Sequence, residues 1–277
     1  MIGSRLIAVC RARNIPCSAT SRRKSSRIFG MIHLDLTGHE SGWDIPDDVH
    51  AAVICAGMTG LAACENNPVL SRTVNVNGTH HLIEFLKRSG IRVVFLSTNQ
   101  VFDGQRPLVP VDGERHPVSV YGRQKASVES QLLSLEGHDA VVRLAKVVYP
   151  TLPLFDGWKQ SLMGGHPISA YANMLMAPVH IDQVVEVILN IVQGAYHGIF
   201  HLSPAEDISY AGVGCVLAEK YGVSKALVRP VHVNDSELPV GGLPVHTTLD
   251  TSVTSRQLGI RPMGAWEAID RILKDEE

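Results

Sequence analysis

"FLSTNQVFDG" (residues 95–104) and "VYGRQK" (residues 120–125) are the two stretches on which the fold turns. The first ends an apolar, β-branched run, "IRVVFLST" (91–98), which reads as a buried strand stopping at Thr98. The second lies at the start of a helical pattern, "VSVYGRQKASVESQLLSL" (118–135). Tyr121 and Lys125 stand four residues apart and so share a helix face. An ammonium beside a phenol favours the phenolate and draws its pKa toward working pH, which suits proton transfer. Thr98, at the carboxyl end of its strand, is expected to face the same crevice, because ligands of open α/β sheets bind outside those ends. By itself Tyr-x-x-x-Lys equally describes a surface pair on a solvated helix. Three hydroxyl and amine groups placed after successive elements point instead to a reaction centre.

Outward from this pair the chain keeps a β-α rhythm. "DDVHAAVICAGMTG" (47–60) reads as a buried strand. "NPVLSRTVNVNGTHHLIEFLKRSG" (67–90) reads as one long helix stopped by Gly90, and "HDAVVRLAKVVYP" (138–150) as a further strand. Upstream, Ile2, Leu6, Ile7 and Cys10 recur at helical spacing from the first residues. Ile15 to Thr20 reads as a short strand ending in a basic turn, and "RIFGMIHLDLTG" (27–38) as the next strand, closing at Asp35. The rhythm predicts an α/β fold with a Rossmann-type, doubly wound parallel sheet. After Pro150 it loosens into a loop, a short helix and a hairpin across 151–178. An amphipathic helix, "HIDQVVEVILNIVQG" (180–194), a strand at "GIFHLS" and two further helices follow. We expect a dinucleotide-binding domain over 1–150 and a smaller substrate lobe over 151–277, with 179–203 returning to the first domain.

Composition narrows the class. The 277 residues are 45% hydrophobic and 19% charged, and the net charge of −2 offers no bulk attraction for nucleic acid or an anionic membrane. No apolar run reaches membrane-spanning length, and the N-terminal "LIAVC" is too short for a signal peptide, so we expect a cytoplasmic protein. The five cysteines form no Cys-x-x-Cys pair and read as reduced thiols. No metal site is expected: His-Glu-x-x-His is absent, and the adjacent His80 and His81 point to different sides of a helix.

Several motifs in order resemble the extended branch of the short-chain dehydrogenase/reductases. "FLSTNQVFDG", "VYGRQK" and "VVRLAKVVYP" are most similar to its dTDP-4-dehydrorhamnose reductase group. "NVNGTHHLIEF" resembles the branch's Asn-Val-x-Gly-Thr helix, "APVHIDQVVEVIL" its return helix, and "DTSVTSRQLGIRP" its C-terminal signature. The resemblance implies hydride transfer between a nicotinamide cofactor and the carbonyl of a nucleotide-linked sugar. It implies Thr98, Tyr121 and Lys125 as the catalytic triad, with Asn75 positioning the lysine through a water; a kink or capping role for Asn75 is equally open.

The cofactor contacts implied are Gly3, the Ser21-Arg22-Arg23 turn, Asp35 and Leu36 beside the adenine, Ala56 and Gly57 under the dinucleotide, and Tyr121 and Lys125. A basic turn without a carboxylate after the second strand favours NADP over NAD, unless it is only a solvated turn. "MIGSRL" (1–6) matches only the end of the family's glycine motif, so Gly3 stands as its last glycine. The first strand and earlier glycines have no counterpart here. We expect an N-terminally truncated piece of a longer chain, a degenerate relative being the alternative.

Substrate contacts are expected at Asn99, Arg143, Lys146 and Trp158, with strand-end and core-packing readings open for Arg143 and Trp158. Asn99-Gln100 replaces the group's usual Asp-Tyr, and Lys146 stands where an aromatic or Asn is common, so the substrate is expected to differ from dTDP-4-dehydrorhamnose itself. A homodimer is left open. Two other readings remain: a non-catalytic NADP-binding subunit like the regulatory subunit of methionine adenosyltransferase, and a nucleotide-sugar epimerase or dehydratase. A dehydratase usually wants a carboxylate beside Thr98, and Asn99 carries no charge.

Overall fold

The computed structural model describes residues 1–24, 30–38, 43–135, 137–233 and 244–274. In chain order its elements begin with α1 (Ile2–Ala12), β1 (Thr20–Ser21), β2 (Ile32–His33) and β3 (Ala51–Ile54). Helices α2 (Leu61–Asn66), α3 (Pro68–Arg72) and α4 (Thr79–Arg88) follow, then β4 (Arg92–Thr98), α5 (Val120–Ser134), β5 (Ala140–Leu144) and β6 (Lys146–Val148). Next come α6 (Pro153–Met163), β7 (Ile168–Tyr171), β8 (Leu175–Met176), β9 (Pro178–His180), α7 (Ile181–Gln193) and β10 (Gly198–Leu202). The chain continues through β11 (Ile208–Ser209), α8 (Tyr210–Lys220), β12 (Val228–Val231), α9 (Ser252–Leu258) and α10 (Ala265–Lys274).

Two compact units emerge. The first holds residues 1–102, 115–143 and 184–200; the second holds 103–114, 144–183 and 201–277. The passage 103–114 thus groups with the second unit.

The first unit is built on a four-stranded sheet in the order β10-β5-β4-β3, with β3 and β4 parallel and Ile54 opposite Phe95. Strand β4 is buried from Val93 to Thr98, as an apolar run flanked on both sides requires. Side chains alternate along a strand, so Val93, Phe95 and Val141 fall on one face, packed with Leu82, Ile83 and Leu86 of α4 and Val128 and Leu132 of α5. Their neighbours Val94, Leu96 and Val142 are equally buried on the other face. The sheet is therefore covered twice, as a doubly wound α/β fold demands. Strands β1 and β2 pair separately and in parallel. Strand β1 is shorter than the expected Ile15–Thr20, and residues 27–29 of the expected second strand lie outside the described residues.

Helix α1 lays Cys10, with Leu6 and Val9, against Val185 and Leu189 of α7. At the carbonyl end of α7 the Arg92 guanidinium donates to the carbonyls of Ile191, Val192 and Tyr196, adding to the backbone bonds that Tyr196 N and Ala195 N make to the first two.

The expected long helix over 67–90 is present as one unbroken run from Pro68 to Arg88, but it is not α-helical throughout. Between α3 and α4 the chain widens into a π-helical segment, Thr73–Gly78, before ending at Gly90 with φ 70°. The buried residues of the segment are Asn75, Val76 and Gly78, so it carries no apolar stripe from which its period could be read. Gly78 shows why the segment needs a glycine: a Cβ there would lie 2.0 Å from the Leu36 carbonyl oxygen.

The second unit packs Phe155, Trp158 and Leu162 of α6 against Val213 and Leu217 of α8 and Ile269 and Ile272 of α10. The expected hairpin across 168–176 is corrected. Strand β7 pairs in parallel with β12, and β8 pairs antiparallel with β11, so each finds a partner distant in sequence.

Substituting Gly78→Ala forces a methyl group into a backbone carbonyl. We expect a loss of about 3 kcal/mol or more of stability, read as a shift in the urea midpoint.

Candidate active site

The site begins with a close contact. A Cβ on Gly122 would stand 2.0 Å from the Gln100 carbonyl oxygen, so α5 touches the 3₁₀ turn Asn99–Val101 backbone to backbone. The first turn of α5 is fixed at both ends of its donor set. Ser119 Oγ accepts from Gly122 N, and Glu65 Oε1 accepts from Val120 N at 2.7 Å. Tyr121 and Lys125 are thereby delivered to the carboxyl end of β4, where Thr98 lies.

Lys125 is 6% exposed and donates from Nζ to the Leu96 carbonyl at 2.7 Å, two residues before Thr98. Its Nζ lies 4.4 Å from the Phe95 ring centroid and 5.8 Å from that of Tyr121. Burial pushes the lysine pKa down to about 8, against the opposing pull of Cys55, Glu129 and Cys64. Tyr121 is 8% exposed, and burial drives its pKa up, with Cys64 adding to the effect. The sequence pattern suggested a phenol pulled down by its lysine; in the structure burial raises it instead. The phenol is held protonated.

Thr98 is buried and caps the 3₁₀ turn. Its Oγ1 accepts from Gln100 N at 3.2 Å and donates to Asn99 Oδ1 at 3.3 Å. Asn75 lies in the π-helical segment and is buried. Its Oδ1 accepts from Met58 N at 2.7 Å, and its Nδ2 donates to the Met58 carbonyl and to Gln124 Oε1, both at 2.8 Å. Asn75 therefore fastens the loop after β3.

The remaining expected cofactor residues are spread along the same unit. Ala56 and Gly57 are exposed just beyond β3, with Gly57 at φ 157°. Gly3, in the first turn of α1, approaches Cys55 at ordinary contact distance. Ser21 ends β1; its Oγ accepts from Arg23 N, and Arg22 and Arg23 are exposed. Asp35 forms a local turn with Thr37, whose N–H and hydroxyl both donate to Oδ1; the backbone bond foremost holds the carboxyl below its usual pKa. Leu36 is buried in the core against Gly78.

The four expected substrate residues are divided between the two units, Asn99 and Arg143 in the first and Lys146 and Trp158 in the second. Asn99 is half-buried beside Thr98. Arg143 is 2% exposed, on the same strand face as Val141, and its guanidinium meets Glu129 at 2.8–3.2 Å and lies over Phe102. Strand alternation aims it under α5, so its charge is committed to the buried carboxylate. Trp158 belongs to the core of the second unit, 5.8 Å from the Phe155 ring. Lys146 opens β6 in that unit; it is exposed overall, yet neighbouring protein lowers its amine pKa by desolvation. Gln124, between Tyr121 and Lys125, is the polar residue that sequence reading passed over. Its position in "YGRQK" gave no sign that it would be buried.

This arrangement is that of a doubly wound α/β domain with a tyrosine-lysine helix beside a threonine-tipped strand. The whole chain, residues 1–277, matches the RmlD substrate binding domain family, and the protein belongs to that family. It is 28% identical over 249 residues to the dTDP-4-dehydrorhamnose reductase of Mycobacterium tuberculosis, covering 82% of this chain and 80% of that one. It is 24% identical over 205 residues to the methionine adenosyltransferase 2 subunit beta of Xenopus laevis, covering 70% of this chain and 60% of that one. The fold is shared with the crystal structure of a dTDP-4-dehydrorhamnose reductase from Bacillus anthracis in complex with NADP. The TM-score is 0.71 at 21% identity, over 82% of this chain and 80% of that one.

Replacing Glu129 by Gln removes the charge that neutralises Arg143 in the interior. We expect a loss of about 3 kcal/mol in chemical denaturation, because an uncompensated buried guanidinium remains.

Proposed function

We propose that this protein is an NADP-dependent oxidoreductase that reduces the keto group of a nucleotide-linked sugar. The observation that carries this reading is the delivery of a buried, protonated phenol and a buried amine by α5 to the end of β4, beside Thr98.

The residues present fit a nicotinamide dinucleotide. The loop at Ala56-Gly57 is exposed and offers backbone rather than bulky side chains. Lys125 donates only to a backbone carbonyl and has further N–H donors for ribose hydroxyls. Arg22 and Arg23 supply positive charge after β1 for a 2′-phosphate, and no carboxylate stands at 21–23 to favour an unphosphorylated ribose. When bound, the reduced cofactor supplies a hydride for the carbonyl carbon. Tyr121 gives its phenolic proton to the carbonyl oxygen. Thr98 turns its hydroxyl from Asn99 Oδ1 to that oxygen and polarises it. Lys125 holds the ribose and, while protonated, stabilises the phenolate that proton donation leaves behind.

Retention of the buried Tyr121–Lys125 pair supports a reductase over a purely binding subunit, which has no use for a desolvated amine under a phenol. The uncharged Asn99 supports reduction over dehydration. The departures at Asn99-Gln100 and Lys146 support a sugar other than dTDP-4-dehydrorhamnose.

The test follows NADPH oxidation with dTDP- and UDP-linked 4-keto sugars. Tyr121→Phe is expected to lower kcat by about a hundredfold or more; an unchanged rate rules out the proposed acid. In the double variant Arg22→Ser/Arg23→Ser, NADPH affinity is expected to fall by about tenfold while NADH affinity holds, since loss of one charge-assisted contact is worth over 1 kcal/mol. Equal weakening for both dinucleotides refutes the assigned preference.

A further inference from the structure

Gln124 takes no part in the chemistry described above, yet it is held more firmly than most side chains around it. It is 6% exposed and makes hydrogen bonds at both ends. Its Oε1 accepts from Asn75 Nδ2 at 2.8 Å, and its Nε2 donates to Ser71 Oγ at 2.8 Å. Asn75 in turn clasps Met58 through both backbone groups.

The direction of this chain of bonds is determined. The Met58 N–H can only donate, so Asn75 must present Oδ1 to it and Nδ2 to Gln124. Gln124 must then turn Oε1 toward Asn75 and Nε2 toward Ser71. Ser71 Oγ passes its own proton to the Pro68 carbonyl at 3.2 Å. Both amides thus have one orientation, while the Ser71 hydroxyl also reaches the Cys64 carbonyl at 3.5 Å.

From this we infer that Gln124 is a positioning residue: through Asn75 it ties the proton-donating turn of α5 to the loop after β3. The inference rests on the reductase reading above. The tie spans the distance between two parts of the proposed reaction. One end is Tyr121, three residues before Gln124 and so on the same side of α5. The other end is the Ala56–Met58 loop, drawn so close that a Cβ on Gly57 would stand 3.1 Å from Asn75 Oδ1. The Lys125–Leu96 bond and the Gly122–Gln100 contact hold α5 to the end of β4, and the Gln124–Asn75 bond adds a hold against the loop after β3, so that a roll away from that loop breaks it. Gln124 opposes the roll. Proton transfer is sensitive to such a motion, because misplacement of about 1 Å costs on the order of a hundredfold in rate.

Two variants separate positioning from packing. Gln124→Met keeps the length and volume of the side chain but removes both bonds. Gln124→Glu keeps the acceptor for Asn75, loses the donation to Ser71 and adds an ionisable carboxyl group, which the exchange measurement below controls for. For Gln124→Met we expect kcat to fall by about tenfold or more while the Kd of NADPH stays within about threefold. For Gln124→Glu we expect kcat within about threefold of the parent, even with a lowered Tm. A folded Gln124→Met with kcat within about twofold of the parent overturns the inference, as does an equal loss in both variants. Should Gln124→Met fail to fold, a tenfold loss in folded Gln124→Glu is enough to overturn it. Amide exchange of the protein without ligand is measured in parallel. The Met58 amide is expected to exchange about tenfold faster in Gln124→Met and at the parent rate in Gln124→Glu. An unchanged Met58 rate in Gln124→Met overturns the tie. A parent protein that binds NADPH but reduces no keto sugar overturns the reductase reading, and the exchange result then judges the tie alone.

Discussion

The contact between Gly122 and the Gln100 carbonyl is the constraint on which the site depends. Any side chain at 122 would lift α5 off the turn that follows β4. With the helix seated, the Lys125 ammonium reaches back along the strand to Leu96, and Thr98 ends that strand as the cap of the next turn. Ser119 and Glu65 satisfy the donors at the helix start, so the turn bearing Tyr121 is held where helices ordinarily fray. A tyrosine and a lysine four residues apart are common. A helix pressed by a glycine onto the end of a buried strand is what turns them toward a shared point.

Burial then sets the charge states in opposite directions. Desolvation disfavours whichever form is charged, so the same environment raises the phenol and lowers the amine. The outcome is a tyrosine that rests with its proton in place beside a lysine that loses its own near pH 8. A phenol in that state is an acid awaiting a developing alkoxide, which is the need of carbonyl reduction. Simple attraction between the pair, the first expectation from their spacing, would have made a resting phenolate and a base.

Much of this was legible in the chain. The buried strand 92–98, the helix carrying Tyr121 and Lys125, and the stop at Gly90 followed from composition, spacing and a positive-φ glycine. Local pattern failed where partners are distant. The segment 168–176 carries hairpin punctuation, but its strands pair with 228–231 and 208–209, which no local signal announces. The π-helical segment was hidden because its buried residues, Asn75, Val76 and Gly78, form no apolar stripe. Arg143 was ambiguous because a charged residue at a strand end faces a crevice or a helix according to parity alone, and parity with Val141 turned it inward. Gln124 was invisible for a related reason: glutamine is mostly a surface residue, and only the fold shows two amide partners waiting for it.

The ion network under α5 connects stability with the chemistry. Glu129 is one turn beyond Lys125 and accepts from Arg143 and, at 3.2 Å, from Arg115. Interior ion pairs rarely add net stability over apolar packing of the same volume, because two charges must first be desolvated. Their presence therefore calls for a second consequence, and the lysine supplies one. Glu129 is among the groups that pull the Lys125 pKa back up against burial. Only the protonated amine steadies the phenolate that proton donation leaves. Arg143 and Arg115 both pair with the Glu129 carboxylate, so two arginines are linked through it to the electrostatics of Lys125.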